Sequence, residues 1–326
     1  MAAVLDREAR RAIFRHGCLA SLDAGFDDLA GGRLLEPPRV VAAGGRRRVA
    51  GQGPLKPMAG ASRGTPTLLG LPYDASSSFL KGTAAAPPLI RQALHSPAGN
   101  PWTETGVDLG ADGALGDAGD VPLGTSAADA RTKIEEAVRT LLEAGGRPIV
   151  LGGDHSVTYP IVRAVRWFHP RLSILHFDAH PDLYPEFEGD RYSHACPFAR
   201  IMEERLTDRL VQVGIRTLNA GQRAQAERYR VEVIDMRAWV AGRRPTLREP
   251  VYVSIDIDAF DPAFAPGVSH REPGGLTVRE VLTVLHGLSV PLVAADIVEF
   301  NPAQDPSGMT ATLCAKLVKE VAGKMT

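Results

Sequence analysis

Cysteine is scarce in this sequence: Cys18, Cys196 and Cys314 are the three in 326 residues. So few, so far apart, build no disulfide framework, and a reducing compartment is the expectation. Long apolar runs are also missing. None nears the roughly 20 residues that a membrane-spanning helix needs. An excess of one charge is missing too, because the formal net charge is −1. That leaves no long-range attraction for nucleic acid or an anionic membrane. The first twenty residues lack the apolar stretch of a secretory signal, and Asp6 and Glu8 are out of place in an acid-poor transit peptide. These absences predict a cytoplasmic protein whose partner is neither nucleic acid nor membrane.

What is present is the composition of a globular protein, 44% hydrophobic and 23% charged. The chain is long enough for one large α/β domain or two ordinary ones. Residues 1–65 stand apart. Their run GGRLLEPPRVVAAGGRRRVAGQGPLKPMAGASRG is rich in Gly, Pro and Arg, with no lasting period of 2 or 3.6. It buries too little apolar area to offset the entropy of ordering, so it is read as a low-complexity, mobile extension ahead of a catalytic domain over 66–326. In that domain apolar runs at 67–71, 148–151, 172–175, 210–213, 231–234, 251–257 and 292–297 predict strands. Helices are predicted over 86–95, from Ser126 to about residue 145, from about residue 159, over 220–229, from Thr277 and over 309–321. Thr277 and Glu280 stand in capping-box spacing. Strand and helix in alternation imply a three-layer αβα domain on a mainly parallel sheet, with ligands outside the carboxyl ends of its strands.

Three of those ends carry polar residues that packing does not explain: Gly153-Asp154-His155, then Asp178, His180 and Asp182, then Asp256 and Asp258. Residues two apart in an extended chain point the same way, so the second and third sets are each expected to converge. Burying unpaired carboxylates costs several kcal/mol, whereas a divalent cation among them removes the penalty. The set offers four carboxylates and two imidazoles but no thiolate, which favours Mn²⁺ over zinc or an iron–sulfur cluster. Six ligands exceed the needs of one ion with an open position and suit two ions about 3.5–4 Å apart. Singly, Asp182 reads as a turn cap and His155 as a hydrogen-bonded core histidine; jointly the three sets point to metal. His176 is in phase with Asp178 but deeper, where it supports or packs, and Asp154 orients its loop.

These residues spell three motifs in order, GGDHS at 152–156, DAHPD at 178–182 and SIDIDAFDP at 254–262. With them the chain resembles the ureohydrolases, the manganese enzymes (arginases, agmatinases and relatives) that cleave urea from guanidino compounds. YSHACPFARIME at 192–203, DPAFAPGVSHREPGGL at 261–276 and VEFNP at 298–302 are most similar to plant-type arginases, which stand near the agmatinases. The resemblance covers roughly residues 65–326 and implies the arginase–deacetylase fold. It implies that His155 and Asp182 bind one ion, His180 and Asp258 the other, and that Asp178 and Asp256 bridge both. A hydroxide between the ions would attack the guanidinium carbon. His194 matches the histidine that delivers a proton to the leaving amine, and Glu299 the carboxylate that holds the cationic substrate. His194, Asp182 and Glu299 are thus the expected catalytic set. His194, Glu299 and Arg271 are the expected substrate contacts, with Arg271 able to grip a carboxylate or pair with Glu272.

The resemblance also implies two Mn²⁺ per chain, with Ni²⁺ the lesser alternative, and a homo-oligomer, trimeric or hexameric. Ala195 follows His194 where most agmatinases and arginases carry Gly. The loop 183–191 lacks the Asn and Ser pattern by which animal arginases hold the amino-acid end of arginine. The substrate is therefore agmatine or arginine, with guanidinobutyrate and guanidine as alternatives. A one-zinc deacetylase would need fewer ligands, and a catalytically silent member should have lost some.

Overall fold

In the computed structural model the described residues are 63–124 and 126–326, so the extension expected over 1–65 lies outside them apart from its last three residues. Eight strands form one sheet: β1 (Pro66–Gly70), β2 (Gly116–Asp120), β3 (Arg147–Leu151), β4 (Ser173–Phe177), β5 (Arg209–Ile215), β6 (Glu232–Asp235), β7 (Val251–Asp256) and β8 (Leu292–Val298). Their order is β2-β1-β3-β8-β7-β4-β5-β6, and every pairing is parallel. Six strands, β1, β3, β4, β5, β7 and β8, are buried along nearly their whole length, and so read as mainly apolar runs rather than alternating ones.

Alternation along those strands still sends side chains to two cores. Leu175, Phe177, Val253 and Ile255 pack with Leu313, Leu317 and Val321 of α8 (Met309–Met325) and with Leu282 and Leu285 of α7 (Val278–His286). Ile174, Tyr252 and Ala294 face the other way, onto Ile134 and Val138 of α2 (Ala127–Glu143), Ile161 and Val165 of α3 (Thr158–Phe168) and Phe198. This is the expected three-layer αβα architecture. The shorter helices α1 (Ala86–Leu94), α4 (Pro197–Glu203), α5 (Ala220–Tyr229) and α6 (Met236–Val240) complete the set. Thr277 forms the full capping box with Glu280 at the start of α7.

Three strands or helices were not legible beforehand. The edge strand β2 reads GDAGD, without an apolar residue beyond one alanine. It is held by pairing to β1 and by Arg91, which donates to Asp117 (2.8 Å) and Asp120 (2.5 Å), so tertiary context overrides its poor strand propensity. The others are α4, opened by Pro197 inside a stretch read only as a motif, and the five-residue α6. Cys196 and Cys314 are both free and buried. No helix among the described residues is long and apolar enough to cross a membrane.

Candidate metal centre

Parallel register levels the carboxyl ends of the four central strands. Leu151, Ile297, Ile255 and Phe177 form one row across β3, β8, β7 and β4. The next residues on β7 and β4, Asp256 and Asp178, are therefore neighbours on strands about 4.8 Å apart. Two residues back along the strands lie His176 and Ser254, on the same face, with Asp296 beside Ser254 on β8. The sheet thus carries a polar ladder into an otherwise apolar layer.

The remaining members arrive by turns, which differs from the pleated convergence expected from the sequence. β4 ends at Phe177 and β7 at Asp256. Asp178 Oδ1 accepts from the His180 amide (2.6 Å), and Asp256 Oδ1 from the Asp258 amide (2.8 Å), each closing a tight turn. Asp258 Oδ1 then accepts from the Ala179 amide (3.1 Å), tying the two turns together. Asp182 and Glu299 sit in the left-handed region, φ 48° and 62°. Such conformations cost on the order of 1–3 kcal/mol and cluster where function demands them. His155 is brought in by Gly153, whose hydrogen faces the Tyr73 carbonyl so closely that a Cβ would come within 1.6 Å of it. Asp154 points away from the cluster and accepts from the Ser76 amide (2.9 Å) and the Ser156 amide (3.1 Å), fixing two loops. Burial and the nearby Glu299 push its carboxyl up to about 7.

The donor atoms pass a test of fit for cations. His155 Nδ1 is buried and has no hydrogen-bond partner. Yet it lies 3.2 Å from Asp178 Oδ2 and 3.1 Å from both Asp182 Oδ2 and Asp256 Oδ2. One proton cannot serve three carboxylates. Ligand atoms about 2.1 Å from an ion and at right angles to one another stand about 3 Å apart, which is this spacing. His180 Nδ1 lies 2.9 Å from Asp258 Oδ2 and 3.4 Å from Asp178 Oδ1, forming a second group that shares Asp178 with the first. His176 also borders the cluster, but both of its nitrogens are used. Nε2 meets Asp178 Oδ2 at 2.8 Å, and Nδ1 meets the Gln212 amide at 3.1 Å. It positions Asp178 and leaves the donor set to the others. Burial first, then Asp258 and Asp178, push the Asp256 carboxyl far above the usual range, and burial likewise raises Asp258. These carboxylates are set against one another until a cation joins them.

Beside the cluster lies a cavity of about 280 Å³ whose lining includes His194, Glu299, His180 and Asp258. A larger cavity, about 550 Å³ beside Trp239 and Arg244, touches none of the clustered ligands. His194 Nδ1 meets Glu299 Oε1 at 3.0 Å and its Nε2 meets Ser78 Oγ at 2.8 Å. Burial depresses His194, but the hydrogen bond and charge of Glu299 outweigh this and hold it up at about 9. Glu299 Oε1 also accepts from the His155 amide (2.9 Å), joining the His194–Glu299 pair to the group around His155. His270 lines the cavity with its ring centroid 5.4 Å from that of His194.

Arg271 is not brought in. Its guanidinium donates to the Pro266 carbonyl (3.0 Å) and to Gln304 (3.0 Å), away from the cavity. Four contributors had escaped notice. Ser78 lay in a run of serines after β1, where the rule of strand carboxyl ends could have found it. Tyr184 and Phe187 form an aromatic wall of the cavity. Asp296 is an acid in the middle of the apolar run LVAADIV, which by itself signals a buried network. It accepts from Thr158 (2.6 Å), Ser254 (2.6 Å) and Tyr252 (2.5 Å), and Ser254 Oγ in turn meets His155 Nε2 at 3.1 Å. Replacing Asp296 by Leu would take the partner from the buried hydroxyls of Thr158 and Tyr252 and leave Ser254 only His155 Nε2. The expected loss is roughly 3 kcal/mol or more of unfolding free energy, measured by denaturant titration. A loss below 1 kcal/mol would show that the hydroxyls find other partners.

A family model described as the arginase family matches residues 65–323. The mitochondrial arginase 1 of Arabidopsis thaliana is 47% identical over 298 residues, covering 86% of this chain and 87% of that protein. Proclavaminate amidinohydrolase of Streptomyces clavuligerus is 36% identical over 279 residues, covering 78% and 86%. Among solved structures, an arginase from Medicago truncatula superposes with a TM-score of 0.77 at 46% identity, covering 82% of this chain and 88% of that one.

Proposed function

This chain belongs to the arginase family, and from that premise we propose that it releases urea from a small guanidino substrate, agmatine or arginine, with two Mn²⁺ ions. At the coarser level it is a hydrolase of C–N bonds in linear amidines, as its relatives are. The observation that carries the finer reading is the partnerless His155 Nδ1 among three carboxylate oxygens, beside a second group that shares Asp178. His155 and Asp182 would hold one ion and His180 and Asp258 the other, with Asp178 and Asp256 reaching both. An oxygen-rich set without thiolate supports manganese. When bound, the cations supply Lewis acidity and bring the pKa of water towards neutrality.

The side chains do the rest. Glu299, deep in the cavity, faces the guanidinium and orients its carbon. His194 carries a proton on Nδ1, now shared with Glu299 Oε1, and passes it to the leaving amine. Ser78, an exposed residue, meets the other ring nitrogen through Oγ and would link the imidazole to solvent for its next proton. A homo-oligomer of three or six chains belongs to the same proposal, as does a cytoplasmic location, although the plant relatives carry mitochondrial names.

Purified protein loaded with Mn²⁺ is expected to release urea from agmatine or arginine, scored in a panel that includes guanidinobutyrate and guanidine. Two ions per chain with no urea from any of the four would overturn the reading.

A further inference from the structure

We propose that Glu272 reads the far end of the substrate, and that this end is an ammonium. The proposal rests on the hydrolase reading above and deepens it to a substrate class. Among the described residues no lysine or arginine side chain lines the 280 Å³ cavity, whereas Asp182, Asp256, Asp258, Glu272 and Glu299 do. Four aspartates balance two divalent cations, and Glu299 faces His194 or the guanidinium. Glu272 is left over. Among the described residues its carboxylate makes no hydrogen bond, and its Oε1 lies 3.9 Å from His180 Nε2. That is the ring edge facing away from Asp178 and Asp258, so Glu272 stands outward of the metal-type cluster.

Its position is fixed although its side chain is free. Arg216 donates to the Glu272 carbonyl from Nη2 (2.6 Å) and Nε (2.9 Å), and from Nη2 to the Asp258 carbonyl (2.7 Å). Asp261 Oδ2 pins the following turn through the amides of Gly274 (2.7 Å) and Gly275 (3.2 Å). One guanidinium thus sets the distance between the strand end bearing Asp258 and the backbone of Glu272. An extended chain of six bonds, each about 1.5 Å, spans roughly 7 Å from a guanidino carbon to a terminal amine. That is enough to pass the His180 ring. Tyr184 and Phe187 supply an apolar wall for the intervening methylenes. A carboxylate terminus would meet Glu272 with no cation to offset it, as Arg271 is turned away to Pro266 and Gln304. The substrate is therefore a guanidino compound with an ammonium at its other end.

The test compares agmatine, butylguanidine and 4-guanidinobutyrate, which share a four-carbon chain and end in a cation, a methyl and an anion. With Mn²⁺-loaded protein, kcat/KM for agmatine is expected to exceed that for butylguanidine about tenfold or more, with 4-guanidinobutyrate lowest. Glu272→Gln should bring agmatine down to butylguanidine, mainly through KM, with metal content unchanged. Glu272→Lys should place 4-guanidinobutyrate first. Calorimetry gives a readout independent of turnover: 1,4-diaminobutane should bind wild-type protein more tightly than butylamine, and the preference should vanish in Glu272→Gln. Equal rates on all three compounds, or an unchanged ratio in Glu272→Gln, would overturn the proposal. So would loss of metal with an equal fall on every substrate, which would make Glu272 a support for His180. No urea from any compound would sink the hydrolase reading, and the calorimetric preference would still decide the role of Glu272.

Discussion

Asp256→Asn is expected to abolish urea release and to leave at least one metal position empty, without lowering the melting temperature of the metal-free protein. The two halves have one cause. Asp256 is buried beside Asp178 and Asp258, and burial first, then those neighbours, hold its carboxyl far above the usual range. A carboxyl raised in the folded state takes up its proton more readily there than in the unfolded chain. The metal-free fold is thus more stable once pH falls through that raised value, and is burdened by the charge at neutral pH. Asn keeps the shape, and its oxygen can still accept from the Asp258 amide, as Asp256 Oδ1 does at 2.8 Å. It removes the burden, and with it the anion that two cations would share. The activity lost should exceed the 10–100-fold typical of altering only a ligand's outer partner. Urea assay, metal analysis and thermal melts in chelator check the three parts. Normal turnover with full occupancy would sink the shared-carboxylate role.

The second large effect is expected at His194. If its proton goes to the leaving amine, the residue matters in the transition state. His194→Asn should then lower kcat by roughly 10²–10⁴-fold, with KM moved much less and both ions retained. Glu299 holds the imidazole up at about 9 against its burial, so the ring stays charged until pH rises through that value. Cations in the cluster repel the same proton, and with metal bound the basic limb of kcat should lie at or below pH 9. Glu299→Gln removes the holding charge. It should move that limb to lower pH and, unlike His194→Asn, raise KM, because a guanidinium loses its counter-ion. A His194→Asn protein that loses metal would make His194 a ligand, and one with near-normal kcat would end its role as proton donor.

The layers of the fold and its parallel sheet were legible because the central strands are buried on both faces and write themselves as apolar runs. β2 was not, since an edge strand of Gly and Asp owes its existence to Arg91 and β1 rather than to its own composition. The residues of the cluster were legible as acids and histidines where strands end. The way they meet was not. Period 2 suggested a pleated face, whereas amide-to-carboxylate turns after Phe177 and Asp256 bring them round. Arg271 and Glu272 show the limit most plainly. Adjacent in sequence, one turns to Pro266 and the other to the cavity, a choice set by the Arg216 clamp from a distant strand end.

The central claim, a centre built for two cations, meets its most direct test in a calorimetric titration of chelator-stripped wild-type protein with Mn²⁺, with urea release followed at each addition. The account predicts two ions per chain and activity that rises with the second. A stoichiometry of one, or activity complete after the first ion, would contradict it.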